Sequence, residues 1–209
     1  MRPHYSLLAI ALFGLFSGIT GNSFAEQGQT VSTEEKLALL TKHGSWKCTA
    51  ILGGELQIQY SSVYSFVATS PEAASYSEVT YMDFNEAVRY DSAESGLFEL
   101  SDEGYLVLTP THAQLRSADI IPRAYTWLSD SVIQDLRRQL PGSIQNYRES
   151  LMTYVGVPQE LRIAELSKET LIFEQSVVDS PPETFTCSHI SADELWDEFG
   201  WIDRPTVES

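Results

Sequence analysis

This chain of 209 residues is short of basic residues, of cysteine and of long apolar runs. Thirteen lysines and arginines stand against 29 aspartates and glutamates, a formal charge of −16 at pH 7. Phosphate contacts need a Lys/Arg-rich face, so nucleic acid is excluded as an expected partner. The same balance argues against electrostatic docking on an anionic membrane. There are only two cysteines and four histidines, without CxxC or HxxxH spacing, so no metal site and no cofactor is expected. The motifs GxSxG, HExxH, GxxxxGK[ST] and GxGxxG are all missing. Composition also excludes a disordered or collagen-like chain. With 43% hydrophobic and 11% aromatic residues the chain can bury a core, and 12 glycines and 9 prolines are too few for a low-complexity polymer.

The one long apolar run lies at the start. Arg2 precedes Leu7–Phe16, and Ser23-Phe24-Ala25 comes after it. Ten apolar residues are too few to span a bilayer. A basic start, an apolar run and small residues at the cleavage positions read as a secretory signal peptide over 1–25. The expectation is a single domain over 26–209, secreted, in a bacterium to the periplasm, with no transmembrane anchor after cleavage. Cys48 and Cys187 fit that compartment, where an isolated pair forms a bridge. The alternative is two buried thiols.

Strand signals dominate the rest of the chain. Ser32-Thr33-Glu34-Glu35 is a capping box opening a short helix over 33–42, and Gly44 stops it. Residues 45–52 put Trp46, Cys48, Ala50 and Leu52 on one face. In 55–67, Leu56, Ile58, Tyr60, Tyr64 and Phe66 alternate with polar residues, the period of a strand with one buried face. Gly53-Gly54 reads as the hairpin loop between them. Short strands are expected at 75–84, 87–92, 96–101, 104–109, 161–166, 170–178 and 184–190. Glu94-Ser95-Gly96 and Ser101-Asp102-Glu103-Gly104 read as turns. Eight or nine sequential short strands predict an antiparallel meander, hence a barrel or strongly curled sheet.

A helical insert interrupts the meander over about 118–158. Ser131-Val132-Ile133-Gln134 has the capping-box pattern, and Ile133, Leu136 and Leu140 share a face up to Pro141. A second short helix is expected near 143–154. Residues 116–162 also hold Arg116, Arg123, Arg137, Arg138, Arg148 and Arg162, whereas both flanks are strongly acidic. A third capping box, Ser191–Glu194, opens an acidic C-terminal helix and tail over about 191–209, with Trp196, Phe199 and Trp201.

Gly44-Ser45-Trp46, after a short helix and at the head of a meander, resembles the first motif of the lipocalin-like (calycin) barrels. The resemblance implies a closed antiparallel barrel with Trp46 plugging one end. It also implies neighbouring first and last strands, so that a Cys48–Cys187 bridge would cross the seam. The expected fold is therefore mainly β, a lipocalin-like barrel with short N-terminal, mid-chain and C-terminal helices.

The leading functional reading is a binding protein for a small, mostly apolar or amphiphilic ligand. Trp46, Tyr60, Tyr64 and Phe66 would line its interior, and eight-stranded barrels are just wide enough for one small molecule. Arg123, Arg137, Arg138 and Arg148 are candidates for an anionic head group, if the insert lies over the barrel mouth. The alternative is a structural or protein-interaction module of the envelope that uses the acidic aromatic tail. An enzyme without a recognisable motif is third, with no catalytic residue assigned.

Overall fold

The computed structural model describes residues 32–42, 44–52, 58–70, 73–176, 181–191 and 194. The expected signal peptide, the Gly53-Gly54 loop and nearly all of the C-terminal tail lie outside the described residues. Helix α1 (Thr33–Lys42) precedes strands β1 (Ser45–Leu52), β2 (Ile58–Ser70), β3 (Ala73–Phe84), β4 (Val88–Leu100) and β5 (Tyr105–Ile120). Helices α2 (Ala124–Trp127) and α3 (Asp130–Tyr154) come next, then β6 (Gln159–Leu166), β7 (Thr170–Gln175) and β8 (Glu183–Ile190). Each strand pairs antiparallel with the next, and β8 pairs with β1, so the eight described strands close a barrel. Cys48 and Cys187 are opposite each other on β1 and β8 and are disulfide-bonded across that seam.

The alternation that marks β1 and β2 as strands also decides which side chains enter the barrel. Trp46, Cys48 and Leu52 on β1, and Ser62, Tyr64 and Phe66 on β2, are buried. Helix α1 closes the adjacent end. The Ser32 hydroxyl accepts from the Glu35 N–H at 3.2 Å, and the Glu35 carboxylate accepts from the Ser32 N–H at 3.2 Å, a reciprocal cap. At the other end of α1 the chain turns through Gly44, whose φ of +88° suits glycine. That turn brings Trp46 under the helix, where its indole N–H donates to the Leu40 carbonyl at 3.1 Å. Trp46 thus fills the barrel end and satisfies one of the carbonyls that a helix terminus leaves unpaired.

The barrel is lopsided. Strands β2 to β5 run 12–16 residues, but β6 to β8 only 6–8. Strand β5 pairs with β6 only over Tyr105–Leu108. Beyond that point the inner face of the long strands has no opposing sheet. Val88, Tyr90 and Ile120 on it pack instead against Ile133 and Tyr147 of α3, with Ala124 of α2. The helical insert acts as the missing wall.

The strand expected at 104–109 runs on to Ile120, and three further local expectations give way. Glu94-Ser95-Gly96 is not a turn: β4 runs through it, with irregular register against β5 between Ser95 and Gly96. Gly96 is required there by close packing, since a Cβ would lie 2.1 Å from the Thr109 carbonyl oxygen. Pro141 does not divide the insert into two helices: α3 is continuous over 25 residues. The proline forfeits one backbone hydrogen bond. The single stripe Ile133, Leu136, Leu140, Tyr147 and Leu151, buried or half-buried against the barrel, outweighs that loss. Ser131 does not cap α3, which starts at Asp130 behind Ser129 without a side-chain cap.

Candidate functional site

Inside the barrel, apolar and polar side chains separate into layers. Phe66, Phe98, Phe173 and Phe185 are almost wholly buried. Phe66 meets Phe98 edge-on at 5.2 Å, and Phe173 stacks on Phe185 at 4.8 Å. Tyr64 is stacked 5.7 Å from Phe66 and edge-on 5.9 Å from Phe173. Trp46 lies 4.9 Å from His189, its partner across the β1–β8 seam. The aromatic residues among these, Trp46, Tyr64, Phe66, Phe98, Phe173 and Phe185, belong to the cluster that α1 closes. The second cluster, under α3, begins with Tyr90 and Met82.

Between the two clusters the inward positions turn polar. On β3 they are Glu78 and Thr80; on β4, Glu94 and Ser92; on β2, Tyr60, Ser62 and Tyr64. Glu78 and Glu94 are direct partners across β3 and β4. The Tyr60 hydroxyl donates to Glu78 Oε1, and Thr80 Oγ1 donates to the same oxygen at 2.6 Å. Tyr60 and Tyr64 hydroxyls are hydrogen-bonded at 3.0 Å. The Tyr76 hydroxyl donates to Glu94 Oε1 at 2.5 Å. Tyr147 of α3 reaches this layer beside Ser92, with its ring 4.9 Å from Tyr90. Two carboxyl groups and a set of hydroxyls thus share a space walled by aromatic rings.

Burial governs the protonation of this layer. It raises Glu78, against the lowering effect of the hydrogen bonds from Thr80 and Tyr60. It raises Glu94 from the ordinary 4.5 to about 7, and the neighbouring Glu78 charge adds to the effect. Tyr60 and Tyr64 are pushed well above 10 by burial and then by Glu78, so they stay neutral donors. Stability then depends on pH. Over the interval between 4.5 and about 7 the folded chain holds a proton on Glu94 that the unfolded chain has released. The Glu94 contribution therefore makes stability fall as pH rises through that interval and level off above it. Glu94→Gln is expected to flatten this fall and to gain most, relative to wild type, at the alkaline end. Urea midpoints of the two proteins at about pH 5 and about pH 8 check it; a difference that does not grow with pH would contradict the assignment.

Of the residues singled out from sequence, Trp46, Tyr60, Tyr64 and Phe66 face the interior, and Cys48 and Cys187 face it from the seam. The arginines stand elsewhere. Arg123, Arg137, Arg138 and Arg148 are all exposed, as is every other described arginine. Arg123 lies 3.6 Å from Glu86, Arg138 pairs with Asp135, and Arg137 donates to the Tyr125 hydroxyl at 3.2 Å. The inward polar groups are carboxyls and hydroxyls instead. Among the described residues no group of three or more His, Cys, Asp or Glu converges as a metal site.

Sequence reasoning missed Glu78 and Glu94. For Glu78 a signal existed: Tyr76, Glu78, Thr80 and Met82 share one alternation face. Val79 and Tyr81 on the other face made the inward side ambiguous. For Glu94, reading a turn at Glu94-Ser95-Gly96 removed it from any strand. No protein-family model matches this chain, and none of the curated proteins matches it. The structure by itself defines the class: a closed, eight-stranded antiparallel barrel, consistent with the lipocalin-like fold and compatible with ligand binding.

Proposed function

We propose that this chain is an extracytoplasmic binding protein, related to the lipocalin-like barrels, that holds one small, mostly apolar or amphiphilic molecule inside the barrel. One observation carries this reading. From the polar layer towards the end under α3, the inward-facing Ile58, Tyr60, Met82, Glu94 and Leu115 are only partly buried. Close packing by the chain's own side chains buries such positions, as it does Phe66, Phe98, Phe173 and Phe185. Apolar walls with a few placed polar groups are the ordinary composition of a small-molecule site, and an eight-stranded barrel has the width for one. The disulfide supports an oxidising compartment, and no described helix is long and apolar enough to cross a membrane.

The test uses native mass spectrometry of protein purified from its own host without denaturant. It is paired with titration by the uncharged probe N-phenyl-1-naphthylamine. The expected result is a co-purified small molecule, or probe fluorescence that rises on binding and falls when Tyr64→Ala opens the aromatic layer. A protein that carries nothing and leaves the probe dark would overturn the proposal.

A further inference from the structure

The polar layer has a sign, and it is negative. Glu78 and Glu94 are directly opposed on the inner face of adjacent antiparallel strands, a relation that sets Cβ atoms about 4.5–5.5 Å apart. Like charges so placed oppose each other's ionisation unless a cation comes between them. No described lysine or arginine stands in this layer: every described arginine is exposed, and Lys47 alternates to the outer face of β1. The layer also contains a loose end. Ser62 is fully buried on β2 between Tyr60 and Tyr64, near the Glu78 carboxyl and the Tyr60 hydroxyl. Its Oγ lies against both groups without completing a hydrogen bond of good geometry. Buried polar atoms are normally satisfied, and a hydroxyl left short of a good partner beside two carboxyls is an acceptor for an added donor.

We infer that this layer is the head-group site of the barrel and takes a protonated amine or amidinium carried on an apolar body, with Glu78 and Glu94 as its counter-ions. The inference rests on the binding function proposed above. An ammonium group offers three donors and no acceptor, the complement of two carboxylates and a hydroxyl lone pair. Tyr64 and Phe185 belong to the aromatic cluster that adjoins this layer and offers a surface for the apolar body. The whole chain favours the same sign, since a formal charge of −16 enriches cations around the protein and repels fatty-acid or phosphate head groups. A cation bound between the two glutamates ionises them, so its binding expels protons.

Three probes of one chain length separate this inference from the function it rests on: decylamine, 1-decanol and decanoate, each below its micelle concentration. Calorimetric titration near neutral pH is expected to show decylamine binding at least about tenfold more tightly than decanoate. The double variant Glu78→Gln/Glu94→Gln is expected to lose about tenfold for decylamine and little for 1-decanol. On the unmodified protein, titrations at about pH 6 in buffers of different ionisation enthalpy should show proton release with decylamine and none with 1-decanol. That measurement decides the matter even if the double variant does not fold. Decanoate or 1-decanol binding as tightly as decylamine, or decylamine binding without proton release, would overturn the cation site and leave the binding function standing. Failure of all three probes to bind would overturn both.

Discussion

Replacing Trp46 by alanine is expected to lower stability by about 3–5 kcal/mol, the range for deleting a fully buried large aromatic. The side chain is completely buried. Its removal leaves a cavity at the barrel end, where α1 and the first strand must otherwise collapse onto each other. A second cost adds to the cavity: the Leu40 carbonyl loses its indole donor in a buried place. Trp46→Phe changes the balance of the two effects. It removes the hydrogen bond but keeps part of the ring packing and so leaves a smaller cavity, for an expected loss of about 1–3 kcal/mol. Urea unfolding tracked by far-ultraviolet circular dichroism measures both. A loss below about 1 kcal/mol for Trp46→Ala would mean that the plug contributes only what an ordinary surface residue does.

Loss of the Cys48–Cys187 bridge is expected to cost a similar amount. The bonded residues are 139 apart in sequence, and the chain-entropy model assigns a loop of that length about 5 kcal/mol. The bridge lies on the β1–β8 seam, the one strand pair that joins the two ends of the meander. Antiparallel neighbours elsewhere, apart from β5 and β6, are held together by short connections as well as by their ladders. The seam has its ladder and this bond. Cys48→Ala/Cys187→Ala is therefore expected to unfold at clearly lower urea concentration than wild type, while free-thiol labelling of unfolded, unreduced wild type finds no thiol. Two labelled thiols, or an unchanged midpoint in the variant, would remove the bridge from the account of closure.

Much of the fold was legible because its signals are local. Ser32 and Glu35 mark the start of α1, and period-two alternation marks β1 and β2. The order of strands is set once each is taken to pair with the next. The GxW motif and two isolated cysteines then point to closure, and the structure closes at the seam those residues occupy. Half of the candidate site was legible for the same reason. Tyr60, Tyr64 and Phe66 share the inward phase of one uninterrupted strand.

What the sequence determined by itself is the alternation of β1 and β2, the capped helix at the entry and the presence of only two cysteines to pair. Only the tertiary structure decided which side of β3 faces inward, and so that Glu78 and not Val79 enters the barrel. It also decided that β4 passes through Gly96, because the close approach of the Thr109 backbone on β5 demands the missing side chain there. Pro141 stays inside α3 because the stripe on both sides of it is buried against β4 and β5. The physical reason is common to all three. Propensity and periodicity report a residue's conformation and its phase relative to its neighbours. Inside and outside are properties of contacts between segments far apart in the chain. There, burial of a whole face is worth more than the one hydrogen bond or turn preference that local rules would protect.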